Sequence, residues 1–169
     1  MKKVFVLLLL VPSIIYSQDN PLDIFKPLEK HIWQAEGKWG DGSSFKQEIN
    51  FEFSLKDKIV KVESLGFTNE QQTEFGLRNQ GIRQYDPKAK KIKFWEFDVF
   101  GGLTEGTVEA NGKDFIYKYD YAGTSLTEMW VYKDQYTYDY VVGVFDGNEW
   151  KQKFLETKFV RKSDKDSNH

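Results

Sequence analysis

The residues of this chain that could do chemistry are chiefly carboxylates and tyrosines, with three arginines. Histidine occurs twice, as His31 and the terminal His169, and cysteine not at all. A metal site of two or more histidines, a histidine-dependent triad and any thiolate chemistry are therefore hard to build. Carboxylates are plentiful. Glu96 with Asp98 stand two apart, and Glu105 with Glu109 lie close by. Two carboxyl groups about 5–10 Å apart across a cleft are what glycoside hydrolysis needs, yet any acidic surface supplies such spacings by chance. The run GGLTEG, residues 101–106, has the glycines of a phosphate loop but lacks the following helix and the lysine such a loop uses. It reads as a corner between two strands.

Three polar residues fall on otherwise apolar strand faces. Gln47 lies between Phe45 and Ile49. Glu128 shares a face with Leu126 and Trp130, and Arg83 shares one with Leu77 and Tyr85. Inward polar groups in an apolar cavity orient a ligand, and an Arg–Glu pair buried for structure alone would look the same. Tyr117, Tyr119 and Tyr121, with Tyr132, Tyr136, Tyr138 and Tyr140, recur at a spacing of two. They form either cross-strand packing or the wall of an amphipathic pocket. The candidate ligand-binding set is thus Gln47, Arg83, Trp95, Glu128, Trp130 and Tyr138, the aromatic members supplying contact area. No residue is assigned a catalytic role, and no metal or cofactor is expected.

These residues must be positioned by strands. In residues 44–55, Phe45, Ile49, Phe51, Phe53 and Leu55 alternate with Lys46, Glu48, Asn50 and Glu52, the period of a half-buried antiparallel strand. Further strands are expected over 59–67, 74–85, 92–100, 103–110, 114–121, 125–132, 136–145 and 149–161. Asp86-Pro87, Asn111-Gly112 and Asp146-Gly147 mark turns between them. The stretch 92–99 has apolar residues on both faces, as a strand covered outside or interrupted by a bulge would. Ahead of the strands, Leu22, Phe25, Leu28 and Ile32 recur at helical spacing, with Asn20 as cap and Pro21 first; Pro27 divides the segment into two short turns.

Nine or ten strands joined by short connections leave no room for parallel crossovers. The fold class is all-β: an antiparallel up-and-down barrel of about ten strands with a short N-terminal helical segment. Closure is not visible in sequence, and a two-sheet sandwich fits the same pattern. Residues 1–17 combine Lys2-Lys3, an apolar run from Val4 to Val11 and Ser17, which is the pattern of a secretory signal peptide. The run is shorter than the roughly 20 residues that span a bilayer. One domain over 18–161, a polar disordered tail over 162–169 and a secreted protein, periplasmic or extracellular, are expected. The net charge of −2 argues against nucleic acid as partner.

Leu28 with Trp33, Glu36-Gly37, Tyr85-Asp86-Pro87, the FDVFGGLTEG stretch and Phe159-Val160-Arg161 together resemble an uncharacterised family of bacterial lipocalin-like barrels. That family is similar to the nitrobindin-type haem-binding barrels and belongs broadly with the calycins. The likeness spans residues 28–161 and implies a barrel with an interior cavity and no established activity. The haem-binding relatives use a histidine near the end of the barrel. Here that region reads KQKFLETKFVRK, without one, so no haem ligand carries over. The expected function is binding of a small hydrophobic or amphipathic molecule. A filled barrel acting through its surface, or a carboxylate-dependent hydrolase, are the alternatives.

Overall fold

The computed structural model describes residues 20–163; the expected signal peptide over 1–17 and all of the expected tail from 164 onward lie outside the described residues. Ten antiparallel strands follow one another: β1 Ile32–Lys38, β2 Ser44–Ser54, β3 Ile59–Phe67, β4 Phe75–Asp86, β5 Lys91–Asp98, β6 Leu103–Asn111, β7 Asp114–Tyr121, β8 Thr124–Asp134, β9 Thr137–Phe145 and β10 Trp150–Arg161. Each pairs with its sequence neighbours, and β1 pairs with β10, so the sheet is a closed, lipocalin-like barrel and not a sandwich. The closing seam is short, with Trp33 opposite Arg161 and Gln34 opposite Val160. Lys162 reinforces it. Its N–H donates to the Ile32 carbonyl at 2.8 Å and its ammonium pairs with Glu48 at 3.1 Å, so barrel contacts reach one residue past Arg161.

The N-terminal segment is a single 3-10 turn, Pro21–Phe25, capped by the Asn20 side chain, which accepts from the Leu22 N–H. Past Pro27 there is no second helix. Ile32, expected on the helical face, instead opens β1 and is exposed. Leu22, Phe25 and Leu28 are buried and plug one end of the barrel. Phe25 stacks on Phe51 and Phe115, with ring centroids 6.0 and 5.5 Å away.

Above this plug the lower half of the barrel is solid. Trp33 donates its indole N–H to the Leu28 carbonyl at 3.2 Å and meets Tyr138 edge to face. Trp130 lies flat on Phe159, centroids 4.1 Å apart. Such ring contacts add to the area buried by each side chain.

The corner at 98–103 is a turn built on Asp98. Its carboxylate accepts from the Phe100 and Gly102 N–H groups at 2.8 Å, and Gly101 takes a φ of 83°, which favours glycine. In β5 the inward face carries Ile92, Phe94, Glu96 and Asp98, and the outward face Lys93, Trp95 and Phe97. The two apolar faces thus reflect an exposed aromatic band outside the barrel, since Phe97 and Leu103 stand opposite each other on the surface. No bulge interrupts β5 in its pairing with either neighbour.

Candidate functional site

Toward the other end the barrel is hollow. A cavity of about 920 Å³ opens between the β1–β2 loop at Trp39–Asp41 and the β7–β8 turn at Tyr121–Thr124. Trp130, at the top of the packed half, forms part of its floor, and its walls carry Phe45, Ile49, Phe94, Tyr117, Tyr119 and Tyr140. Four candidates from the sequence line it: Gln47, Arg83, Glu128 and Trp130.

Two do not. Trp95 alternates with the inward residues of β5 and therefore points outward, where its indole N–H donates to Glu105 at 3.1 Å. Tyr138 points inward but one pair of positions too deep. It is 1% exposed and packed among Trp33, Phe115, Trp130 and Tyr132. Its hydroxyl is pushed up to about 12, chiefly by burial. Leu77 also parts from Arg83: a register shift opposite Ser64/Leu65 turns it to the surface.

Arg83 is the centre of the polar chemistry. It is 2% exposed and pairs through Nη2 with Glu96 on the neighbouring strand. Its guanidinium lies over the Phe94 and Tyr117 rings, 5.1 and 5.2 Å from their centroids. Gly81 makes room for this pair. A Cβ there would stand 2.7 Å from Arg83 Nη1, from Glu96 Cγ and from the Trp95 carbonyl. Burial opposes the arginine charge, but Glu96 and the nearby Tyr117 hydroxyl outweigh it and hold the pKa above its ordinary value. Nε and Nη1 nevertheless have no hydrogen-bond partner among the described residues, and neither does Asn79 Oδ1 on the same strand.

Glu128 faces this pair from β8. Its Oε1 accepts the Trp130 indole N–H at 2.9 Å, and the Tyr140 hydroxyl donates to the same carboxyl group. Burial, then the negative charge of Glu96, raise it to about 7; Trp130, Arg83 and Tyr140 pull the other way. Tyr117 is pushed up to about 12, and Tyr119 and Tyr140 also lie above the ordinary phenol range, burial leading in each case. All three hydroxyls are therefore neutral donors at physiological pH.

The cavity thus holds one carboxylate paired with an arginine, Glu96, and a second carboxyl, Glu128, raised to about 7. Of the acidic pairs suggested by spacing, neither is this one. Asp98 is committed to the corner, while Glu105 and Glu109 are outside, the latter paired with Lys118 at 3.1 Å. Sequence spacing missed the Glu96–Glu128 approach because it joins β5 to β8. The available signal was that Glu96 shares the apolar face of Ile92 and Phe94. Among the described residues no group of three or more histidine and carboxylate side chains is arranged to hold a metal ion, and no helix is long and apolar enough to cross a membrane.

No protein-family model and no curated protein sequence matches the chain. Among solved structures it is similar to the S-type phycobiliprotein lyase CPES from Guillardia theta, with a TM-score of 0.49 and 12% identity over 83% of this chain and 92% of that one. At that level of likeness nothing about ligand or activity passes from one protein to the other.

Proposed function

We propose that this protein is a small-molecule-binding barrel that holds an amphipathic guest in its upper cavity. The observation that carries the reading is the hollow itself. About 920 Å³ stays open in a barrel whose other half is packed solid, and pockets of a few hundred to about 1,000 Å³ suit small ligands. A barrel working only through its surface has no use for that space. The resemblance to bacterial lipocalin-like barrels points the same way. The leader-like residues 1–17 support secretion, so the guest would be met in the periplasm or outside the cell.

The test is native mass spectrometry of protein expressed with its leader and purified gently, joined to titration with a fluorescent apolar probe. Excess native mass that disappears on denaturation, or saturable probe binding blocked by Leu126→Trp in the cavity wall, is the expected result. A bare mass together with no saturable probe binding would remove the reading.

A second reading has its own observation. Glu96, paired with Arg83, and Glu128, raised to about 7, face each other in one pocket, an arrangement in which Glu128 could serve as the acid. Conversion of the co-purified guest by wild-type protein, lost in Glu128→Gln, would shift the function from binding to catalysis.

A further inference from the structure

We infer that the guest carries a carboxylate, received by the buried guanidinium of Arg83. The inference rests on the binding reading above and adds the chemical class of the ligand. Nε and Nη1 belong to an arginine that is 2% exposed, and neither makes a hydrogen bond of ordinary geometry among the described residues, the Tyr117 hydroxyl being the acceptor close by. Leaving charged donors buried and unbonded is costly. Glu96 takes Nη2, the Phe94 and Tyr117 rings, themselves 5.3 Å apart, lie together on one side of the guanidinium, and the Gly81 backbone backs Nη1. The cavity is the side from which an acceptor can come. Nε and Nη1 point to opposite sides of the guanidinium, so a carboxylate takes Nη1 together with the remaining Nη2 hydrogen, the end-on pair of the planar fork. The Tyr117 ring must tilt to admit it, and the neutral Tyr117 hydroxyl then supplies a further donor.

The charge balance of the cavity fits such a guest. The Arg83–Glu96 pair is neutral as a unit. Facing Glu128 are Arg83 from β4, Glu96 from β5, Tyr117 and Tyr119 from β7, and Tyr140 from β9, with Trp130 on its own strand. Only Arg83 and Glu96 among them are charged. The inner cavity therefore carries one negative charge when Glu128 is ionised and none when it is protonated. A carboxylate guest supplies one negative charge of its own and drives Glu128 to keep its proton. Binding of an acid near neutral pH accordingly takes up a proton; an ammonium guest would release one.

The experiment compares dansylaminoundecanoic acid with its methyl ester and with a dansylated alkylamine of equal length on the intact protein. Calorimetry near pH 7.5 in two buffers of different ionisation enthalpy counts the protons. The acid is expected to bind about tenfold or more tighter than the ester, with net proton uptake. In Arg83→Met/Glu96→Gln, which removes both members of the pair and so strands no buried charge, the acid-to-ester ratio should fall to near one. Equal affinity for acid and ester, tighter binding of the amine, proton release on binding the acid, or a ratio that survives in the double variant would each overturn the carboxylate assignment while leaving the cavity a binding site. Failure of all three probes would overturn both. If the double variant does not fold, the ester comparison and the proton count on wild-type protein still decide.

Discussion

Glu128 shows what one residue's surroundings do to its chemistry. Its carboxyl is raised from 4.5 to about 7 by burial and by Glu96. Between those limits the folded protein holds a proton that the unfolded chain releases, so stability falls as pH rises through the window. The loss is on the order of 3 kcal/mol if the cavity stays dry, and less if water enters. Glu128→Gln keeps an acceptor for the Trp130 indole and removes the titration. We expect a flatter dependence of the denaturant midpoint between about pH 5 and about pH 7, and greater stability than wild type above neutrality. An unchanged slope in the variant would mean that another group carries the linkage. Arg83 behaves oppositely. It stays charged throughout, and its removal alone would take the partner from the half-buried Glu96, a destabilising change.

At the scale of elements, the 3-10 turn Pro21–Phe25 matters more than its five residues suggest. Without it the lower end of the barrel would expose Phe51 and Phe115 to water. Phe25 is fully buried against both rings, and Phe25→Ala should cost about 3–5 kcal/mol. A denaturant midpoint shifted with little change in slope would show it. A loss below 1 kcal/mol would mean that the plug is dispensable. The corner at Asp98 is an element-scale device as well. By accepting two backbone N–H groups, it turns β5 into β6 at the rim and leaves Glu96, two residues earlier, inside the mouth.

For the whole molecule, the division into a packed half and a hollow half decides what the barrel can do. The packed half, from Phe25 through Trp33 and Tyr138 to the Trp130–Phe159 stack, supplies the rigidity that lets the other half stay open. Narrowing the hollow should therefore affect binding without unfolding the barrel. Leu126→Trp places a large ring in the cavity wall and should lower probe affinity at least about tenfold, an effect of roughly 1.4 kcal/mol. Leu77→Trp, on the outer surface, should leave that affinity alone. Equal effects from both would show that the probe binds outside. Guest in excess of its Kd should raise the melting temperature of the wild-type protein, the gain growing with the logarithm of guest concentration, and the gain should be smaller in Leu126→Trp.

Much of this architecture is legible in the chain. Alternation in residues 44–55, the Asp86-Pro87 turn and the Asn111-Gly112 hairpin are local signals, set by the two-residue period of a strand and by the backbone freedom of particular turn residues. They determine antiparallel strands in order, and hence a meander. Gln47, Arg83 and Glu128 could be found because each interrupts an apolar face. Closure could not be found, because it depends on Trp33 and Gln34 meeting Arg161 and Val160 across the length of the chain. Depth along the barrel axis was also hidden. Tyr138 and Tyr140 sit two apart on one strand, yet one is sealed in the packed half and the other lines the cavity. The facing of Leu77 turned on a single register shift. The Glu96–Glu128 approach, on which the chemistry of the cavity rests, joins strands that are three apart in sequence order and meet only because the sheet curls. Periodicity assigns a residue to a face. Curvature and closure decide which faces look at each other, and those come from the contacts of the folded chain.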